Sequence, residues 1–152
     1  MSSLRRGGLC LILVLVLSMQ SGAARASGLV KDGNVELTFG EPVTGVLDDE
    51  SFRRVYVLRV RADDRLTITL ERAAGDLDPL LLLMNQHGAI VAASDDDGPG
   101  RNARIAGWQA LEGGRYFVVA SRFGQEHGSS SGTYNLLAVR EEVAVTNAPT
   151  LT

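Results

Sequence analysis

Six consecutive residues, Leu66-Thr67-Ile68-Thr69-Leu70-Glu71, alternate apolar and polar without a fault. A period of two puts all three apolar side chains on one face of an extended strand, whereas a helix would scatter them around its axis. The same period recurs on either side. In Tyr56-Val57-Leu58-Arg59-Val60-Arg61 the residues Tyr56, Leu58 and Val60 share a face, and in Thr133–Val139 Tyr134, Leu136 and Ala138 do so. Arg115–Arg122 carries Tyr116-Phe117-Val118-Val119, a run of strong strand formers. Val35–Phe39, Pro42–Leu47 and Ala103–Trp108 are shorter candidates of the same kind. No window of helical length shows an i, i+3, i+4, i+7 apolar stripe. Strand signals recur roughly every 8–12 residues, the spacing of sandwiches. The expected fold is all-β: an antiparallel, jelly-roll-like β-sandwich of eight or nine strands.

Between these runs lies Gly75–Ile105, which places chemistry as well as structure. Leu80–Met84 and Ala89–Ala93 are strand-length apolar runs separated by a polar turn, Asn85–Gly88. They predict a β-hairpin. Asp76 and Asp78 precede its first strand; Asp95, Asp96 and Asp97 follow its second. Pairing would bring both acidic groups to the end of the hairpin away from its turn. With Asn102, these aspartates form a candidate calcium site, because calcium takes six to eight hard oxygen ligands and neighbouring loops can supply several. Like charges so close also need a cation or an arginine to offset them, and Arg101 and Arg104 are at hand. Without a metal, Asp78-Pro79 reads as a turn and the following acidic run as a solvated loop.

The N-terminus reads as a leader. Arg5 and Arg6 precede an apolar run, Leu9–Leu17, too short for a membrane span, and Ala24-Arg25-Ala26 supplies a cleavage site. Residues 1–26 are therefore expected to be a secretory signal peptide, 27–34 a linker, 35–140 the sandwich and 141–152 a disordered tail. Cys10, the one cysteine, would leave with the leader, so the mature chain would carry no disulfide and no thiol ligand. Secretion from a bacterial cell, or delivery to the periplasm, suits such a chain, with no membrane attachment after cleavage. Removing Arg5, Arg6 and Arg25 from 15 basic residues leaves 12 against 18 acidic ones, so the formal charge moves from -3 to -6. That charge repels phosphate backbones, and nucleic acid is excluded as a partner.

Three motifs dissolve on inspection. Gly128-Ser129-Ser130-Ser131-Gly132 contains G-x-S-x-G, but a nucleophile elbow needs a strand before the serine and a helix after it. Here a polar loop precedes and a strand follows. Gly98-Pro99-Gly100-Arg101-Asn102-Ala103 approximates a dinucleotide fingerprint without a βαβ unit around it. His87 and His127 both fall in polar turns.

Taken in order, Tyr56, Leu58 and Val60, then Ala62-Asp63-Asp64-Arg65-Leu66-Thr67-Ile68, then Asp76-Leu77-Asp78-Pro79-Leu80 form the first half of a broader pattern. Ser94-Asp95-Asp96-Asp97-Gly98, Asn102-Ala103-Arg104-Ile105, Gly114-Arg115-Tyr116-Phe117-Val118-Val119-Ala120 and Gly132-Thr133-Tyr134-Asn135-Leu136 complete it. In this order and spacing, from Val35 to Val139, the chain resembles the bacterial pre-peptidase C-terminal domain. The resemblance implies a β-sandwich accessory module of secreted hydrolases, above all peptidases, related to the collagen-binding domains of clostridial collagenases. Some such domains bind calcium. The expected function is that of a non-enzymatic binding module, with calcium as a candidate stabiliser. Its partner would be an extracellular protein or polysaccharide, or a secreted peptidase that it assists. The alternative is a small secreted hydrolase using two of the aspartates as acid and base.

Overall fold

The computed structural model describes residues 35–142 apart from Asp97 and Pro99. The expected signal peptide and linker lie outside the described residues, as does the tail from residue 143 onward. All nine expected strands are present: β1 (Val35–Leu37), β2 (Val43–Leu47), β3 (Arg53–Val60), β4 (Arg65–Gly75), β5 (Pro79–Met84), β6 (Ile90–Ser94), β7 (Ala103–Gln109), β8 (Gly114–Arg122) and β9 (Gly132–Glu141). The only helical turn among the described residues is a short 3-10 segment, Gln125–His127.

Two sheets face each other. One runs β1-β3-β8-β5-β6 and the other β2-β9-β4-β7. Strands β2 to β9 are antiparallel throughout and follow the jelly-roll order; β1 adds a parallel edge beside β3. The alternation read in the sequence places the core. Leu58 and Val60 of β3, Leu66, Ile68 and Leu70 of β4, and Leu136 and Ala138 of β9 are all buried between the sheets. From the facing strands come Leu81, Leu83, Val118 and Ala120. Burying apolar side chains from both layers is what holds two such sheets together.

One expectation about β4 needs correction. Its alternation marks Thr67 as a solvent-facing residue, yet Thr67 is only 7% exposed. A bulge displaces β7 opposite it, between the Leu66–Trp108 and Ile68–Ile105 pairs. Thr67 Oγ1 accepts the Gly107 N–H at 3.1 Å and donates to Glu141 Oε1 at 2.6 Å. The distorted ladder thus encloses a hydroxyl that an undistorted one would leave wet.

A hydroxyl pair also joins the two sheets. Tyr56 of β3 and Tyr134 of β9 meet through their phenolic oxygens, 2.5 Å apart. A Cβ on Gly45 of β2 would collide with the Tyr134 hydroxyl, so glycine makes the room that this tyrosine occupies. Burial raises both phenolic pKa values.

The strand register sorts the loops to two ends. Residues 48–52, 76–78, 95–96, 100–102 and 123–131 gather at one pole. Residues 38–42, 61–64, 85–89 and 110–113 gather at the other.

Candidate functional site

The hairpin forms as expected, with Leu81 opposite Ser94 and the turn at the far end closed by Asn85. Its register carries Asp78 and Asp96 to a common rim. Loop contacts then decide what each polar group does. Asp76 is exposed; its N–H donates to Ser131 O, and its Oδ1 accepts the Ser131 N–H, both at 3.0 Å. The Asp78 N–H donates to Ser130 Oγ, and Asp78 O accepts from the Phe123 N–H. Asn102 Oδ1 accepts the Arg72 N–H at 3.0 Å, while its carbonyl accepts from Gly98 N–H at 2.7 Å. Asp95 is half-buried and Asp96 exposed; Asp97 lies outside the described residues. Asp76 and Asn102 are thus engaged in joining loops. Among the described residues, no three carboxylate, histidine or cysteine side chains converge as a metal site would.

What knits this pole is a residue that the sequence does not single out. Arg122 ends β8 with its side chain only 1% exposed. Its Nε donates to Gln125 O and its Nη1 to Ser130 O, each at 2.9 Å, and Nη1 also reaches Asp49 Oδ1 at 2.7 Å. One guanidinium so ties the β2–β3 loop to both ends of the β8–β9 loop, using the fork of donors that arginine alone carries. Gly128 passes close over its Nε, where a Cβ would crowd the backbone. Ser130, the serine of the G-x-S-x-G match, is held here as a loop anchor, with its hydroxyl bonded to Asp78 N–H. His87 lies at the opposite pole, so His87 and Ser130 do not share a site.

A second surface lies on the outside of the five-stranded sheet. The unbroken apolar run of β5 sends Leu81 and Leu83 inward and leaves Leu80, Leu82 and Met84 half-buried on the outer face. Cross-strand pairing extends this face into two apolar rows. Val55, Val119, Leu82 and Ala93 make one; Val57, Phe117, Met84 and Ile90 make the other. Ile90 is 59% exposed. Between the rows lies a shallow depression of about 460 Å³, with Arg53 and Gln125 at its margin. Across the strands, the next pair beyond the Val57–Phe117 pair is Arg59–Arg115, and beyond Val55–Val119 it is Arg53–Ser121. Glu36 of β1 neutralises Arg59 at 2.7 Å. The result is an apolar patch with cationic ends on a chain whose overall charge is negative.

Known structures share this architecture. The chain superposes on the pre-peptidase C-terminal domain of collagenase from Bacillus anthracis with a TM-score of 0.58, covering 71% of this chain and 96% of that one at 14% identity. The fold is that of a pre-peptidase C-terminal domain. It is also shared by PliG of Aeromonas hydrophila, a periplasmic lysozyme inhibitor of g-type lysozyme, with a TM-score of 0.53 and 12% identity over 73% of this chain and 98% of that one. No protein-family model and no curated protein matches the sequence.

On this pre-peptidase C-terminal fold, sequence reasoning located the acidic rim but missed Arg122 and the outer face. A signal for the face was present, since Leu80–Met84 and Phe117–Val119 do not alternate, and a strand without alternation is apolar on both sides. For Arg122 there was none: an arginine at the end of a strand is ordinarily a solvated terminus.

Proposed function

We propose that this chain is an exported, non-catalytic binding module that docks a protein partner on the outer face of its five-stranded sheet. The observation that carries the reading is the pair of apolar rows across β3, β8, β5 and β6, with Ala93 and Ile90 exposed and Val55, Val57, Leu82, Met84 and Phe117 half-buried around a buried Val119, where a sandwich normally turns polar side chains to water. Contiguous apolar surface of this kind marks interaction sites. The cationic ends favour a partner whose own apolar patch is bordered by carboxylates, which would speed encounter and set orientation. The fold supports this reading, for one protein that shares it is an inhibitor of another protein, g-type lysozyme, and the other is a domain of a collagenase. A leader of the secretory type supports export, to the periplasm or beyond.

The hydrolase alternative is less well supported. A general acid needs a carboxyl set in an apolar pocket. Asp76 and Asp96 are exposed instead, and the carboxylate of Asp76 is spent on a loop N–H.

The test is retention of exported proteins on immobilised chain, comparing wild type with a Val55→Asp, Leu82→Asp variant, alongside inhibition of purified g-type lysozyme. A discrete partner held by wild type and lost by the variant, with circular dichroism unchanged, is the expected result. A partner kept equally by both would move the docking site elsewhere, and no partner at all would remove the reading.

A further inference from the structure

At the pole opposite the acidic rim, a cleft of about 410 Å³ opens between the β5–β6 turn and the β7–β8 turn. This volume falls in the range of small-molecule sites. Its apolar wall is made by Val91, Leu111, Trp108 and Tyr116, the two rings meeting edge to face with centroids 5.2 Å apart. The Tyr116 hydroxyl donates to Glu112 O at 2.9 Å, which fixes the phenol and through it the indole plane. Facing them are the side-chain amides of Asn85, Gln86 and Gln109, with Arg115 at the margin. The floor is the Gly113-Gly114 turn, which contributes no side chain.

Trp108 is in this cleft because of a departure from regular strand geometry. Ala103 and Ile105 point into the core, so continued alternation would turn Gly107 inward and Trp108 out over the far face of the four-stranded sheet. Gly107 adopts φ +62, a left-handed conformation that favours glycine, and the β7 bulge falls between Ile105 and Trp108. Past it the phase reverses: Trp108 pairs with buried Leu66 and turns to the inner side, at the mouth of the sandwich. The Thr67 hydroxyl holds the bulge by accepting the Gly107 N–H. Bulges that re-aim one side chain occur beside functional sites.

We propose that this cleft is a binding site for a neutral pyranose sugar, adjoining the protein-docking face at Gln86. Asn85 Oδ1 accepts the His87 and Ala89 N–H groups, and Gln86 Nε2 lies 3.4 Å from His87 Nε2, so the Gln109 amide is the one that a purely apolar ligand would cover without a partner. A strongly charged ligand would meet Arg115 and Glu112, which carry opposite signs. A sugar ring answers both constraints, since it carries an apolar C–H face for the indole and equatorial hydroxyls for the amides. Polysaccharide of the extracellular space is the source of such units that an exported module would encounter.

The chain contains a single tryptophan, so its emission reports this cleft alone. Full-length mature protein is titrated separately with chitotetraose, cellotetraose and maltotetraose while indole emission is followed. At least one sugar should give a saturable shift. A Gln109→Ala variant, which keeps Trp108 and leaves the docking face untouched, should bind that sugar roughly tenfold more weakly with an unchanged melting temperature. The Val55→Asp, Leu82→Asp variant should bind it as wild type does, which separates failure of this site from failure of the docking face. The proposal is overturned by no shift with any of the three sugars, by equal affinity in the amide variant, or by a response confined to a proline-rich control peptide.

Discussion

Arg122 is a buried cation whose partner is open to water, with Asp49 84% exposed. The two ends of this ion pair therefore carry unequal weight. Removing Arg122 leaves the Ser130 carbonyl without its donor, leaves Gln125 O with only the Gly128 N–H, and opens a void beneath the loop. Arg122→Ala should cost about 2–5 kcal/mol by denaturant unfolding. Asp49→Ala removes an exposed acceptor and should cost no more than about 1 kcal/mol; equal losses would show that the ion pair, not the carbonyl cradle, holds the pole. The buried phenols of Tyr56 and Tyr134 give a second test at this scale. Desolvation raises both pKa values, Tyr134 further because Tyr56 lies against it. Above the ordinary tyrosine value near 10, the folded state therefore holds more protons than the unfolded one. This contribution to stability is complete below that pH and is lost as pH rises above it. The melting temperature should fall steeply on the alkaline side, and Tyr56→Phe with Tyr134→Phe should flatten the fall.

Among the elements, β4 and β7 show how a ladder defect changes what a residue is worth. In regular alternation Ile68→Ala would be costly and Thr67→Ala nearly free. Ile68 is fully buried, and its truncation should cost about 2–5 kcal/mol. The bulge makes Thr67 matter too, because its hydroxyl serves both Gly107 N–H and Glu141. Thr67→Ala should cost about 1–3 kcal/mol, whereas Thr67→Ser, which keeps the hydroxyl, should recover much of the loss. An alanine variant as stable as wild type in urea would mean that the bulge does not depend on that hydroxyl. In the β5–β6 hairpin the register shift lies near the turn, between Leu83 and Met84, and the Leu81–Ser94 end still carries Asp78 and Asp96 to one rim as the spacing implies. If Asp95, Asp96 and Asp97 hold calcium there, the ion should raise the melting temperature, and Asp95→Ala with Asp97→Ala should abolish the rise. No calcium effect on wild type would remove the metal from consideration.

For the molecule as a whole, the proposed sugar cleft and the proposed docking face adjoin at Gln86, and the acidic rim lies at the far end. The rim tied by Arg122 and the cleft holding Trp108 sit at opposite poles, and the apolar face lies along one flank. A sandwich closed at both ends by short loops is well suited to presenting such surfaces rigidly, because two packed sheets resist relative movement. Docking-face variants and cleft variants should each lose only their own ligand.

Local chemistry alone was enough to identify the nine strands, the inward faces of β3, β4 and β9, and the hairpin that gathers the aspartates. Period-two alternation and turn residues act over a few neighbours, and they are written directly in the chain. The same local pattern was silent on Arg122, on the reversal of phase before Trp108, and on the engagement of Asp76 and Asn102 with other loops. Each depends on which distant segment arrives alongside: residues 49, 125 and 130 around a guanidinium, β4 against a bulge, Ser131 beside an aspartate. Burial and hydrogen-bond pairing across such separations arise only when the two sheets close on each other, so tertiary structure alone decided them.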